Sequence, residues 1–242
     1  TEVQRKLFGT LYNTYSFFTL YANIDGFDYS EADIELEKRP EIDRWVLSKL
    51  HSLIKNVDAS FEAYEPTKAG RLIQDFVTDQ LSNWYVRLCR RRFWKSEDSF
   101  DKLSAYQTLY TCLETVAILS APIAPFFMDQ LFSDLNAVTR KHDVDSVHLA
   151  LFPQVNNAII DEELEAQMDI AQKVSSLVLG IRKKERIRVR QPLQTIMVPT
   201  LNETFSNNIN HVKDLILSEV NVKELKLIEE GSGVIVKSIK PN

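Results

Sequence analysis

The segment Asn83-Trp84-Tyr85-Val86-Arg87-Leu88-Cys89-Arg90-Arg91-Arg92-Phe93-Trp94-Lys95 sets five cations among four aromatics, with Asp79 and Glu97 the nearest acids on either side. Read as a helix, Arg87, Arg90, Arg91 and Trp94 recur at i, i+3, i+4 and i+7 and share one stripe. A planar guanidinium pairs with phosphate, and an indole offers a face on which an unpaired base can stack. The combination suits single-stranded RNA better than duplex DNA. Asn83 and Tyr85 join the stripe as flanking candidates, whereas Trp84 extends the apolar side of the helix and is assigned to the core. The competing reading keeps the aromatics inside, lets the arginines snorkel into water, and leaves nothing bound.

A second basic run, Arg182-Lys183-Lys184-Glu185-Arg186-Ile187-Arg188-Val189-Arg190-Gln191, holds six cations against one acid where a long helix should end. The negative end of a helix dipole accounts for one or two cations, not six. If the tail is extended, alternation puts Arg186, Arg188 and Arg190 on one face. Lys183, Lys184, Arg186, Arg188 and Arg190 are therefore candidates for contact with a polyanion. A solvated helix terminus is the alternative.

Other chemistries find no residues to carry them. The four histidines are scattered and neither cysteine has metal-ligand spacing relative to them, so no metal site is expected. No Gly-rich phosphate loop follows a strand, and Gly231-Ser232-Gly233 reads as a hairpin turn. Cys89 lies among arginines, a setting that can lower a thiol pKa, but without a neighbouring histidine it reads as an incidental helix cysteine. No catalytic residue is assigned.

The 242 residues, 44% hydrophobic and 26% charged, have the composition of an ordinary globular chain, and the formal net charge is −5. An RNA site must then be a local patch on an acidic body. Two cysteines without a disulfide framework suit a reducing compartment, and no apolar stretch approaches the length of a membrane span. A cytoplasmic protein with no membrane and no DNA partner is expected.

Six glycines and eight prolines favour long helices. Apolar residues recur at three and four from about Glu2 to Tyr21, from Pro40 to Phe61, from Thr67 (a plausible N-cap) into the basic stripe, and from Phe100 to Ser120. The Ala121-Pro122-Ile123-Ala124-Pro125 break precedes a helix over about Phe126 to Val138. Beyond it, Val147 to Phe152 look β-like and Asp161-Glu162-Glu163 opens a long helix to about Glu185. Thr195 to Val198 read as a strand, Asn207 to Ser218 as a helix, and Val222 to Ile228 as a strand paired in a hairpin with Val234 to Ile239. The expected fold is mainly α: a helical bundle over 1–145, a connection over 146–160, and a long helix with a small α+β appendage over 161–242.

Taken in order, these residues carry a resemblance. Leu11-Tyr12-Asn13-Thr14-Tyr15-Ser16-Phe17-Phe18, Asp43-Arg44-Trp45-Val46-Leu47-Ser48, Ala63-Tyr64-Glu65-Pro66-Thr67-Lys68-Ala69 and the basic stripe stand in the order of the tRNA-anticodon-binding region of isoleucyl-tRNA synthetases. Ala121 to Phe126, Ile187-Arg188-Val189-Arg190-Gln191-Pro192-Leu193 and Leu217-Ser218-Glu219-Val220-Asn221-Val222-Lys223 continue it, so the resemblance covers essentially the whole chain. Valyl, leucyl and methionyl relatives share the bundle, and a helical protein-interaction module without RNA contact is the reading from another class. The resemblance implies that the anticodon stem-loop of tRNA(Ile) and the parent's own catalytic domain are the partners. It also implies a parent that activates isoleucine with ATP and charges tRNA, with ATP and Mg in a catalytic domain outside this chain. Neither the His-Ile-Gly-His-like nor the Lys-Met-Ser-Lys-Ser-like signature of that domain occurs here, and no cofactor is expected in this piece.

Overall fold

Apolar spacing at three and four becomes helix throughout the first of two units, Thr1–Asp161. The computed structural model describes residues 4–95, 99–200 and 202–228. A π-helical turn, Gln4–Phe8, leads into α1 (Gly9–Asp25), which Gly26 ends in the left-handed conformation (φ 71°) that glycine adopts without steric cost. Helix α2 (Glu41–Glu62) follows an irregular stretch that a buried Arg39 ties down. Its guanidinium donates to the Ile34 carbonyl, Thr108 Oγ1 and Gln107 Oε1 at 3.0, 2.7 and 3.2 Å.

Helix α3 (Pro66–Asp75) starts with Pro66 in its first turn, where the missing N–H is no loss, so Glu65 and not Thr67 occupies the N-cap position, without a side-chain cap. It runs on with helical backbone through a π-helical stretch, Phe76–Val86, into α4 (Arg87–Lys95). Phe76, Leu81 and Val86 are all buried at intervals of five, the hydrogen-bond period of a π-helix and one that an α-helix cannot keep on one side. Helix α5 (Ser99–Ser120) is buried along most of its length, and Pro125 opens α6 (Pro125–Thr139) after the predicted break. Around α5 pack α2, α1, α4 and α6, so α5 is the axis of the bundle.

The expected β-like piece at Val147 to Phe152 is not a strand. Val147–Leu149 form a 3₁₀ turn, because the Asp129 carboxylate accepts from Ser146 Oγ (2.7 Å) and the Val147 N–H (2.9 Å) and curls the backbone. The chain then stays on the bundle: Phe152 meets Phe61 edge-on at 6.3 Å, and the Asp161 N–H donates to Ser48 Oγ at 2.8 Å.

The second unit, Glu162–Asn242, opens with α7 (Glu162–Lys184), whose acids sit at its positive end and whose cations sit at its negative end. Strand β1 (Leu193–Pro199), helices α8 (Glu203–His211) and α9 (Lys213–Val220), and strand β2 (Val222–Ile228) complete it. The strands pair parallel, Leu193 opposite Val222 and Pro199 opposite Ile228, with the two helices forming the crossover that parallel strands require. The expected single helix over Asn207 to Ser218 starts earlier, capped by Asn202 Oδ1 on the Phe205 N–H (2.7 Å), and breaks at Val212. The expected hairpin partner, Val234 to Ile239, lies outside the described residues.

Candidate nucleic-acid interface

Helix α4 has two chemically opposite faces. Cys89 and Phe93, four residues apart, are buried, with Phe93 edge-on to Phe17 of α1 and to Tyr106 of α5, each at 5.1 Å. Burial of those two side chains fixes the rotation of the helix, and the opposite side must then face outward. Arg87, Arg90 and Arg91 are exposed there, and Trp94 is 59% exposed. Arg87 donates from Nε to the Asn83 carbonyl at 2.8 Å and lies over the Trp84 ring at 5.4 Å. Arg90 lies over the Phe17 ring at 5.9 Å. Both guanidiniums thus lie within cation–π distance of an aromatic ring.

Asn83 is exposed, but Tyr85 is not at this surface. It is fully buried, with its hydroxyl donating to Asp43 Oδ1 at 2.7 Å, and burial first and the Asp43 charge second push its pKa well up. The expectation for Tyr85 is corrected on that ground: two residues before Arg87, it falls on the opposite side of the helix from the stripe, in line with the buried Cys89 and Phe93 at i+4 and i+8. Trp84 is buried, as its apolar neighbours predicted.

Arg92, a cation that the stripe did not include, holds α4 from the inner side. Its Nη1 and Nη2 donate to Asp43 Oδ1 and Oδ2 at 2.6 and 2.8 Å, and its Nε pairs with Asp101 Oδ1 at 2.9 Å. Ser104 Oγ adds a fourth donor to the fully buried Asp43 carboxylate at 2.6 Å. Such a charge is tolerable only because two cationic N–H groups and two hydroxyls meet it. The sequence did hold a signal: Asp43 falls on the buried stripe of α2 with Val46 and Leu50, and an acid there requires a cationic partner. The same surroundings overturn the idea that arginines activate Cys89. Burial outweighs Arg92 and pushes its thiol up to about 12.

In the second unit Lys183, Lys184, Arg186, Arg188 and Arg190 are exposed, but the tail is not extended. The Arg186 N–H donates to the Lys183 carbonyl and the Ile187 N–H to the Arg182 carbonyl (3.2 and 2.8 Å), the paired bonds of a left-handed helix stop with Arg186 at φ 56°. A turn closed by the Gln191 N–H on the Arg188 carbonyl (3.0 Å) follows. Arg182 lies beneath this loop, 2% exposed. Alternation therefore does not place Arg186, Arg188 and Arg190; the helix stop and the turn do.

No group of three metal-ligating side chains occurs among the described residues, and no described helix is long and apolar enough to cross a membrane. Residues 43–197 match the family described as the anticodon-binding domain of tRNA ligase. Over 239 residues, 99% of this chain, it is 63% identical to an isoleucine–tRNA ligase of Bacteroides fragilis, and over its full length 62% identical to that of Cytophaga hutchinsonii. The isoleucine–tRNA ligase of Thermus thermophilus is 41% identical over 241 residues. The chain spans about a fifth of each relative: 21, 22 and 23% of their lengths. With a two-faced helix inside the matched region and the match extending over more than half of the residues, the chain belongs to the anticodon-binding-domain family of tRNA ligases.

Proposed function

We propose that this chain is the part of an isoleucine–tRNA ligase that holds the anticodon stem-loop of tRNA(Ile), and that the outer face of α4 is the surface it uses. The observation that carries the reading is the division of α4: Phe93 and Arg92 lock one side into the bundle, while Arg90, Arg91 and Trp94 stand exposed on the other. Arg87, Arg90 and Arg91 meet loop phosphates, Asn83 lies at the near edge of the face, and the Trp94 indole stacks on a base turned out of the loop. Phosphate contacts set orientation and make affinity fall with salt. Lys183, Lys184, Arg186, Arg188 and Arg190 contribute further backbone contacts. The whole ligase would activate isoleucine with ATP and transfer it to tRNA in a catalytic domain outside this chain, working in the cytoplasm, where the buried free cysteines Cys89 and Cys112 stay reduced.

The test is a titration of the 242-residue protein at low salt with an anticodon hairpin of tRNA(Ile), using an RNA duplex of the same stem as competitor. Arg91→Ala combined with Trp94→Ala should weaken hairpin binding at least tenfold while the circular dichroism and melting temperature hold. Unchanged affinity would remove the α4 face from the interface, and equal competition by the duplex would remove loop recognition.

A further inference from the structure

The Arg182 guanidinium is almost completely buried, yet each of its hydrogen-bond acceptors is a neutral backbone carbonyl. Nη1 donates to the Arg188 and Gln191 oxygens at 3.1 and 3.0 Å, and Nη2 donates to the Asn221 oxygen at 3.0 Å. Nε is buried with no acceptor, and no carboxylate pairs with Arg182, among the described residues. Meanwhile the Arg182 carbonyl accepts the Ile187 N–H at 2.8 Å. One residue therefore grips the loop after α7 at its first turn and again at its end.

Asn221 supplies the other half of the clasp. It sits in the left-handed conformation (φ 51°, ψ 58°) where α9 passes into β2, and its Nδ2 donates to the Val189 carbonyl at 2.8 Å. The carbonyls of Arg188 and Gln191 are drawn to the buried Arg182 guanidinium, and that of Val189 is held by Asn221. The negative ends of the Arg188 and Gln191 peptide dipoles are then neutralised from beneath, while the side chains of Arg186, Arg188 and Arg190 are exposed. A loop built this way is stiff, positive outside, and carries one more uncompensated positive charge beneath its surface. Burial of a cation without a counter-ion is unfavourable, and a polyanion lying across the loop offsets it.

We propose that Arg182 is a positioning residue for a preformed phosphate-binding loop over residues 185–191, acting on RNA through Arg186, Arg188 and Arg190 rather than by its own contact. The ligand class is the sugar-phosphate backbone of RNA, bound without base readout, and the proposal rests on the RNA-binding reading above. A helix stop with a merely structural Arg182 would show in thermal unfolding alone. A positioning role shows in addition in the slope of log affinity against log salt, because ordered cations release counterions from the RNA.

The experiment measures that slope for a tRNA(Ile) transcript with the 242-residue protein, its Arg182→Met variant and its Asn221→Gly variant. Asn221→Gly keeps both the left-handed backbone and the carbonyl that Arg182 uses, and removes only the latch on Val189. It is therefore the decisive variant if Arg182→Met fails to fold. Expected are a shallower slope by about one to two counterions and roughly tenfold weaker binding at low salt, with Arg188→Ala adding little in the Asn221→Gly background. A folded Asn221→Gly protein with unchanged slope and an undiminished Arg188→Ala effect would overturn the proposal while the α4 interface stands. Absence of binding by the unaltered protein would overturn the RNA reading itself, and this proposal with it.

Discussion

Asp43 and Arg92, 49 positions apart in the chain, meet through contacts of 2.6 and 2.8 Å that tie α2 to α4 beneath the exposed arginines. Removing one partner of a buried pair leaves the other charge desolvated and alone, which costs about 3–5 kcal/mol. Asp43→Ala should therefore lower unfolding stability by that amount in a urea titration. Tyr85→Phe, which deletes one neutral donor to the same carboxylate, should cost about 1 kcal/mol and leave hairpin affinity unchanged. An affinity loss in a stable Tyr85→Phe protein would return Tyr85 to the RNA surface.

What was legible in the sequence follows the range over which its signals act. The helices of the bundle declare themselves because each must bury an apolar stripe at local spacing, and α2, α5 and α6 begin and end within a residue or two of where the periodicity and prolines put them. Arg87, Arg90, Arg91 and Trp94 share a face for the same local reason. Tyr85 was misplaced although the same spacing was available, because it stands four and eight residues before the buried Cys89 and Phe93 and only two before Arg87, on the other side of the helix. The partner of Asp43 escaped because pairing across 49 residues leaves no local trace. Alternation at Arg186 to Arg190 misled, since a charge pattern with period two forms a strand only when a neighbouring strand accepts its hydrogen bonds, and here Arg182 and Asn221 take those carbonyls instead.

Stability below neutral pH should depend on His51. Its Nδ1 accepts the Asn156 N–H at 3.2 Å, and burial lowers its pKa from the ordinary 6.5. The folded protein thus binds this proton less readily than the unfolded chain. The associated stability is complete above pH 6.5 and is lost as pH falls through the lower folded value. In urea titrations between pH 7 and 5 the unaltered protein should lose stability more steeply than His51→Gln. Parallel curves for the two would show that the ring is protonated without penalty.

Cys89 and Cys112 are both buried, and burial pushes the two thiols upward, Cys89 to about 12. The thiolate is the nucleophile, so neither side chain should react with iodoacetamide at pH 8 while the protein is folded. Intact mass should stay unchanged over hours in buffer and rise by two adducts in denaturant. Modification of Cys89 in the folded protein would mean that α4 opens from the bundle, because Cys89 lies on its inner face beside Phe93.

The two tryptophans near the start and end of the basic stripe should separate fold from recognition. Trp84 is buried and Trp94 is 59% exposed, although both stand beside arginines in sequence. Trp84→Ala removes a large core side chain and should cost about 3–5 kcal/mol of stability. Trp94→Ala touches little of the core, so stability should change by no more than about 0.5 kcal/mol. On the proposed α4 interface its loss should appear in binding instead: about 1–3 kcal/mol for one stacked base, roughly 5- to 150-fold in hairpin affinity. Trp94→Phe should recover part of that loss because a smaller ring still stacks, whereas Trp94→Leu should not, although it is equally apolar. Equal affinities for the Phe and Leu variants would show that the indole contributes apolar surface and not a stacking platform, leaving the arginines to hold the RNA by charge alone.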